Sequence, residues 1–176
     1  MPLFEILLLL LFVLIAFSII WSTLAVGISP MPSSAKARQA MLNLCRDTGS
    51  GRITDFGSGW GHFVIAAAKA FPDRQITGYE LSLCPYLTAY LLKLMFRLDN
   101  LTLKRRDFLT ADLGSTSVLV CYLYPGAMKA IENKLATDQH RVDYIISNNF
   151  ACPNLTPIKT LQLDDFYRSP VYLYHL

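Results

Sequence analysis

Charged residues are scarce in this sequence. Asp, Glu, Lys and Arg make up 16% of its 176 residues, whereas soluble domains usually contain about 25%. The shortage is uneven, because the segment 6–28 contains no charged side chain at all. The formal net charge is only +3, and no long basic stretch is present. This charge is too small to predict a nucleic-acid partner.

Patterns of metal ligands are also missing. The sequence has four cysteines and three histidines, and no two cysteines have the C-x-x-C spacing. Zinc sites and small disulfide-rich domains depend on such spacings. We therefore predict no metal site, and we interpret the cysteines as buried thiols in a reducing compartment.

The uncharged segment 6–28 predicts a membrane-spanning helix. A helix of this length rises about 34 Å, which is enough to cross a hydrocarbon core about 30 Å thick. A cleaved signal peptide is the alternative. Signal peptides begin with a positively charged region and have apolar cores of about 7–15 residues. Here the residues before the apolar segment include Glu5 and no Lys or Arg, and the segment is longer. The sequence thus predicts a membrane anchor at 1–29 that contacts the lipid bilayer, followed by a Pro/Ser-rich linker at 30–34.

The basic residues predict the orientation of this anchor. Lys36, Arg38, Arg46 and Arg52 follow the apolar segment, whereas no Lys or Arg precedes it. Basic residues flank membrane helices preferentially on the cytoplasmic side. We therefore expect a single-pass membrane protein whose domain lies on the cytoplasmic or organellar-matrix side.

Beyond the linker, β-prone stretches alternate with helical ones. The strands are predicted at Arg52–Phe56, Gln75–Leu81, Leu101–Arg106, Val118–Tyr124, Val142–Ser147, Ile158–Leu163 and Val171–His175. Such alternation predicts an α/β fold over residues 35–176, a Rossmann-like three-layer sandwich with a mostly parallel seven-stranded sheet. No helical stretch separates the last two strands, which predicts an antiparallel hairpin at one edge.

One helical stretch, Leu81–Phe96, is unusually apolar. It is short for a membrane span and contains Pro85 and Lys93. We therefore interpret it as a buried or membrane-grazing helix rather than a second span.

A glycine loop follows the first predicted strand, with the sequence Asp55-Phe56-Gly57-Ser58-Gly59-Trp60-Gly61. Glycines allow positive φ and a close approach of the backbone to a ligand, and the helix that follows offers unpaired N–H groups. The spacing is G-x-G-x-G rather than the G-x-G-x-x-G of dinucleotide sites. Asp55 would repel a pyrophosphate but would bind the ammonium group of a methionine moiety.

A second acid, Glu80, ends the second predicted strand. A carboxylate at this position can accept hydrogen bonds from both hydroxyls of a ribose. Together with Asp55 and the glycine loop, Glu80 predicts a site for an adenosyl group attached to methionine. A tight βα turn without a ligand would explain the glycines but not the two acids.

These motifs resemble those of class I, seven-β-strand, S-adenosylmethionine-dependent methyltransferases. DFGSGWGHFVIAAAKAF followed by GYELS is most similar to the small membrane-anchored protein-lysine methyltransferases of the ATP synthase c-subunit and adenine nucleotide translocase type. The resemblance implies S-adenosyl-L-methionine as the cofactor. It assigns the cofactor contacts to Asp55, Gly57, Ser58, Gly59, Gly61, Glu80, Leu81, Asp107 and Phe108, with the last two at the adenine.

The sequence also departs from related patterns. Trp60 and His62 stand where this family typically has Asp and Arg, so the contacts there are expected to differ. Enzymes that methylate amino groups of DNA or glutamine carry N-P-P-Y or D-P-P-Y after the fourth strand, where this chain has Tyr122-Leu123-Tyr124-Pro125-Gly126. This difference argues against a nucleic-acid substrate.

The predicted acceptor is a lysine of an integral membrane protein. Burial near aromatic side chains would favour the neutral, nucleophilic form of this lysine. Tyr124 is the candidate residue for lining the acceptor site. No residue stands out as a general base. Two alternatives remain open: methylation of a lipid, quinone or phenol delivered by the membrane, and a catalytically inactive module that retains the fold.

Overall fold

The computed structural model describes residues 3–10, 12–13 and 32–176. Residues 3–10 and 12–13 are helical, but most of the predicted anchor lies outside the described residues. No helix within the described ranges is long and apolar enough to cross a membrane. The anchor at 1–29 therefore stays a prediction.

The domain after the linker alternates strands and helices as expected. Its helices are α1 (Ala35–Arg46), α2 (His62–Ala70), α3 (Leu83–Met95) and α4 (Pro125–Thr137), with a 3-10 turn at Phe108–Thr110. Its strands are β1 (Arg52–Phe56), β2 (Ile76–Tyr79), β3 (Leu101–Lys104), β4 (Thr116–Cys121), β5 (Tyr144–Asn148), β6 (Lys159–Gln162) and β7 (Pro170–His175).

The seven strands form one sheet in the order β3-β2-β1-β4-β5-β7-β6. The first five in this order are mutually parallel, whereas β7 is antiparallel to both β5 and β6. The predicted Rossmann-like sheet and its antiparallel edge hairpin are confirmed. The strand order reverses between β1 and β4, and open α/β sheets bind ligands outside the carboxyl ends of the strands at such a point.

The two faces of the sheet carry separate apolar clusters. On one face, α1 and α2 contribute Met41, Leu44 and Val64 to a core that includes Ile146 of β5. On the other face, Met128 and Ile131 of α4 pack with Phe56 and others. Helices thus cover both faces, which produces the predicted three layers.

Strand β4 ends three residues earlier than the sequence predicts. Its last pairs are Cys121 with Phe56 and Cys121 with Ser147. Beyond them β1 turns away at Gly57, which has φ +75°, so the ladder loses its partner on that side. Tyr124 becomes the N-cap of α4 instead, with Pro125 in the first turn, where its missing N–H is tolerated.

Candidate active site

The glycine loop lies between β1 and α2, at the carboxyl edge of the sheet. Gly57, Gly59 and Gly61 have φ values of +75°, +52° and +85°, a region that residues with a Cβ rarely adopt. The N–H groups of Gly57 and Ser58 both donate to the carbonyl of Tyr79, at 3.0 and 2.9 Å. The loop is therefore tied to the end of β2.

The three glycines face different surroundings. A Cβ at Gly57 would lie 2.8 Å from Cδ2 of Leu123, and one at Gly61 would lie 2.8 Å from Cβ of Ala89. These two glycines are required by packing within the domain. A Cβ at Gly59 would meet only the carbonyl oxygen of Gly57, at 4.0 Å. The loop is therefore open at Gly59, where a ligand can approach the backbone.

Glu80 is hydrogen-bonded to this open part of the loop. Its Oε2 accepts a hydrogen bond from the N–H of Gly59 at 2.8 Å, and its Oε1 accepts one from the N–H of Ser82 at 2.7 Å. A carboxylate has about four lone-pair sites, so each oxygen can still accept a hydrogen bond from a ribose hydroxyl. Glu80 is thus positioned by the backbone for the predicted contact.

Asp55 is buried at the end of β1, with only 5% of its surface exposed. Burial raises the pKa of its carboxyl well above the usual value, and the negative charge of Glu80 raises it further. Two neighbouring buried carboxylates repel each other. A cationic ligand at this edge would relieve that repulsion, as the ammonium and sulfonium of S-adenosylmethionine would do.

The predicted adenine side lies after β3. Oδ1 of Asp107 accepts a hydrogen bond from the N–H of Leu109 at 2.9 Å and caps the 3-10 turn. The ring of Phe108 stacks on Phe56, with centroids 5.0 Å apart. Leu81 is 47% exposed directly after Glu80, so an apolar side chain is available to cover a bound adenosine.

Ser58 packs differently from the other residues of the loop. Its hydroxyl is buried without a hydrogen-bond partner, and a Cβ added to Gly78 would lie 2.9 Å from its Oγ. Gly78 therefore makes room for Ser58 over β2. The two carboxylates, Asp55 and Glu80, and the accessible backbone at Gly59 fit S-adenosylmethionine.

A cavity continues from the glycine loop towards α1. Its wall is formed by the loop and by residues of the linker, α1, α2 and β4: Pro32, Ser33, Met41, Asp55, Gly57, Ser58, Gly59, Trp60, His62, Phe63, Val120, Cys121 and Tyr122. The tyrosine in this wall is Tyr122, which stacks on Phe150 at a centroid distance of 6.3 Å. Tyr124, the predicted lining residue, lies beyond the wall, at the N-cap of α4.

Sequence reasoning missed Tyr122, because the local signal for it is shared by Tyr124 and does not distinguish the two. Alternation along β4 carries Val118, Val120 and Tyr122 to one face of the sheet, and the first two belong to the core beside α1. The linker residues Pro32 and Ser33 had no such signal, because only the fold brings them to this cavity.

Asn148 is a further polar residue at this edge. It ends β5, is 3% exposed, and its Oδ1 has no hydrogen-bond partner. Alternation along β5 places it on the same sheet face as Ile146, whose side chain packs in the core beside α1. A buried polar atom without a partner is rare, but Asn148 does not belong to the wall of the cavity.

The fold and this site define a class, the Rossmann-like methyltransferase domains. An RNA methyltransferase from Salinibacter ruber in complex with S-adenosyl-L-homocysteine superposes with a TM-score of 0.71 over 82% of this chain and 93% of that chain, at 23% identity. A tRNA methyltransferase from B. subtilis gives a TM-score of 0.66 over 81% and 66% of the two chains, at 13% identity. At these identities the similarity establishes the fold.

The family follows from the sequence itself. A family model described as "ANTKMT methyltransferase domain" matches residues 55–159, and the chain therefore belongs to this family. The lysine N-methyltransferase of the ATP synthase c-subunit from Xenopus laevis is 31% identical over 132 residues, which are 72% of this chain and 55% of that protein. The chain thus spans about half the length of this curated relative. The predicted class, an S-adenosylmethionine-dependent methyltransferase domain, is confirmed.

Proposed function

We propose that this chain is an S-adenosylmethionine-dependent methyltransferase that methylates a lysine of an integral membrane protein, while its N-terminal segment holds it in the bilayer. The observation that carries the proposal is the pair of buried carboxylates, Asp55 and Glu80, on either side of the open backbone at Gly59. The lysine acceptor is supported by the name of the relative from Xenopus laevis.

The cofactor, when bound, supplies a methyl group on a sulfonium, which is already activated for transfer. Asp55 would bind the ammonium of its methionine end, and Glu80 would accept hydrogen bonds from the ribose hydroxyls. Leu81 and Phe108 would cover the adenine, and Asp107 would accept a hydrogen bond from its amino group. The remaining task of the protein is to align the acceptor and to exclude water.

A lysine must lose a proton before it can attack. Burial disfavours the charged ammonium and lowers the pKa of a lysine, so aromatic side chains in the cavity wall would favour the nucleophilic form. Tyr122 and Trp60 are aromatic residues of the cavity wall.

The position of the linker supports action at a membrane. Pro32 and Ser33 lie in the wall of the cavity, only a few residues after the predicted anchor. An acceptor cavity this close to the anchor would meet lysines near the bilayer surface, since a short tether raises the effective concentration of membrane partners. The predicted orientation puts this domain on the cytoplasmic or organellar-matrix side.

A lipid or quinone acceptor would benefit from the same position, so the experiment must separate the two. Membranes from cells that lack the protein would be incubated with radiolabelled S-adenosylmethionine and the full-length chain, then divided into lipid extract and protein. We expect label in protein and, by mass spectrometry, on lysine. The matched control is Glu80→Gln, which is expected to transfer almost no label.

Three outcomes would contradict the proposal in different ways. Label in the lipid extract alone would support the small-molecule alternative. Label on residues other than lysine would reject the acceptor but keep the enzyme. No transfer by a chain that binds S-adenosylhomocysteine in calorimetry would support the inactive module.

A further inference from the structure

Helix α3 presents an apolar face to solvent. Only Pro85 and Ala89 of its 13 residues are buried. Leu87, Leu91 and Leu94 are 46%, 63% and 55% exposed, and their spacing of three and four residues puts them on one side of the helix. Leu83 and Met95 extend the exposed surface to both ends, at 42% and 66%. Contiguous apolar surfaces of this kind mark sites of interaction.

The border of this face is basic. No Asp or Glu occurs between Glu80 and Asp99, whereas Lys93 and Arg97 do. Nζ of Lys69 lies 3.2 Å from the ring centroid of Phe96, at one end of the helix. At the other end, Nε of Arg105 donates to the carbonyl of Leu81 at 3.4 Å. Cations therefore flank the apolar residues at both ends.

We propose that α3, with its basic border of Lys69, Arg97 and Arg105, docks on the surface of an anionic bilayer. Apolar residues of such a helix enter the boundary between headgroups and acyl chains, and the basic side chains attract anionic headgroups. This contact is separate from the predicted anchor, and it depends on neither cofactor binding nor methyl transfer.

Two other occupants fit the face less well. A second copy packed symmetrically on this face would offer no carboxylate of α3 to balance the basic border. The N-terminal helix of the same chain is the other candidate, but its described residues 3–10 are themselves exposed. A bilayer satisfies both the apolar face and the basic border.

The proposed docking face lies next to the candidate active site. The N-cap of α3 is Ser82, and its N–H donates to Glu80. The docking face therefore begins beside the predicted ribose contact. A domain held by this face and by the linker would keep the carboxyl edge of its sheet next to the membrane.

The test uses tryptophan fluorescence of the full-length chain in nanodiscs that contain phosphatidylserine and brominated lipid. Leu91→Trp introduces a reporter on the proposed face. Ile158→Trp introduces one beside β6, the opposite edge strand of the sheet, at a residue that is 61% exposed. The unsubstituted chain provides the background of its two native tryptophans. We expect bromine to quench the added emission at position 91 and to leave that at position 158 unchanged.

Three results would overturn the proposal. The first is an added emission at position 91 that bromine does not quench. The second is a blue shift of that emission that appears without lipid and grows with protein concentration, which would indicate a second copy. The third is equal quenching in nanodiscs of phosphatidylcholine alone, because the basic border would then contribute nothing. As a matched check, Leu87→Glu in the Leu91→Trp chain should abolish the quenching, whereas Tyr167→Glu should not.

Discussion

Asp55 and Glu80 lie at one edge of the sheet, where the negative charge of Glu80 helps to raise the pKa of the buried Asp55 carboxyl. Glu80 is compensated by two backbone N–H groups. Asp55 is more buried, and its carboxyl has the raised pKa. Such an arrangement is unfavourable for folding alone and becomes favourable when a cation binds. At the residue scale, the site is therefore prepared for a positively charged ligand.

Replacement of Asp55 is expected to change how the melting temperature depends on pH. The folded-state pKa of Asp55 lies above its unfolded value, so the folded protein binds this proton more tightly and loses stability as pH rises above the unfolded pKa. Asp55→Asn should therefore raise the melting temperature at pH 8, with a gain that shrinks as pH approaches 4, and should weaken cofactor binding. Thermal denaturation from pH 4 to 8 measures the first effect and calorimetry the second. The exposed Asp73→Asn is the control, and a lower melting temperature for Asp55→Asn at pH 8 would contradict the interpretation.

Two glycines with similar backbone conformations allow the loss of a ligand contact to be distinguished from backbone strain. Gly59 and Gly49 both have positive φ, +52° and +75°, and an added Cβ would clash at neither. Alanine at either position should lower stability by about 1 kcal/mol, because of the left-handed conformation. Only Gly59→Ala should also weaken binding of S-adenosylhomocysteine, by about tenfold or about 1.4 kcal/mol. Equal affinities of the two variants in calorimetry would show that Gly59 does not face the cofactor.

The two tyrosines after β4 test the acceptor cavity. Tyr122 lies in its wall, whereas Tyr124 caps α4. Tyr122→Ala should raise KM for the protein acceptor by about tenfold, roughly 1.4 kcal/mol. Because the same wall contains Asp55 and Gly59 of the predicted cofactor site, the affinity for S-adenosylhomocysteine is measured as well, and a larger loss there would assign Tyr122 to the cofactor. Tyr124→Ala should change KM much less. Steady-state kinetics with membranes from cells that lack the protein as the acceptor would measure both KM values, and a larger effect of Tyr124→Ala would restore the assignment made from sequence.

At the scale of elements, a few side chains hold the ends of the layers together. Nε and Nη1 of Arg74 donate to the carbonyls of Gly51 and Cys45, at 2.7 and 2.8 Å. These bonds join the turn before β2 to the end of α1 and the start of β1. The spacing between the helical layer and the sheet is thereby set on the side opposite the site.

Asn100 has a similar role for α2. Its Nδ2 donates to the carbonyls of Ala68, Phe71 and Arg74, at 3.0, 3.0 and 3.2 Å, and so satisfies the end of this helix. Asn100→Asp would replace the donor with a carboxylate that faces three carbonyl oxygens. We expect a loss on the order of 2 kcal/mol in the free energy of unfolding, measured by denaturant titration. Asn133→Asp on the exposed side of α4 is the control; equal losses would indicate a general effect of charge.

At the scale of the whole molecule, the anchor and the domain are expected to be separable. The described core draws on α1 and later elements, and Pro32 and Ser33 would remain in place without the residues before them. Deletion of residues 1–30 should therefore leave the melting temperature and the affinity for S-adenosylhomocysteine unchanged. Methylation of the membrane acceptor should fall, since the tether no longer concentrates the enzyme there. A truncated chain that neither folds nor binds in detergent-free buffer would refute the two-part architecture.

The sequence by itself determined the class of fold, and it predicted the residues of the cofactor site, whose contacts with a cofactor stay a prediction. The glycine spacing, Asp55 before it and Glu80 after β2 are local patterns, and the rule that parallel strands end at one edge brings them together. The edge hairpin could also be predicted from local sequence, because no helix separates β6 from β7. Helix α1 also starts at a local signal, because the side chain of Ser34 accepts a hydrogen bond from the N–H of Ala37 at 3.0 Å.

Only the tertiary structure decided the acceptor side and the surface. Tyr122 rather than Tyr124 lines the cavity because β4 ends where its neighbours stop pairing, a property of three strands at once. Pro32 and Ser33 reach the cavity because α1 packs beside β5 and β7. The apolar α3 was compatible with burial or with a membrane surface, and its exposure follows from its place over the edge strand β3, where none of the described helices covers it. Such features depend on which elements become neighbours, and no local pattern contains that information.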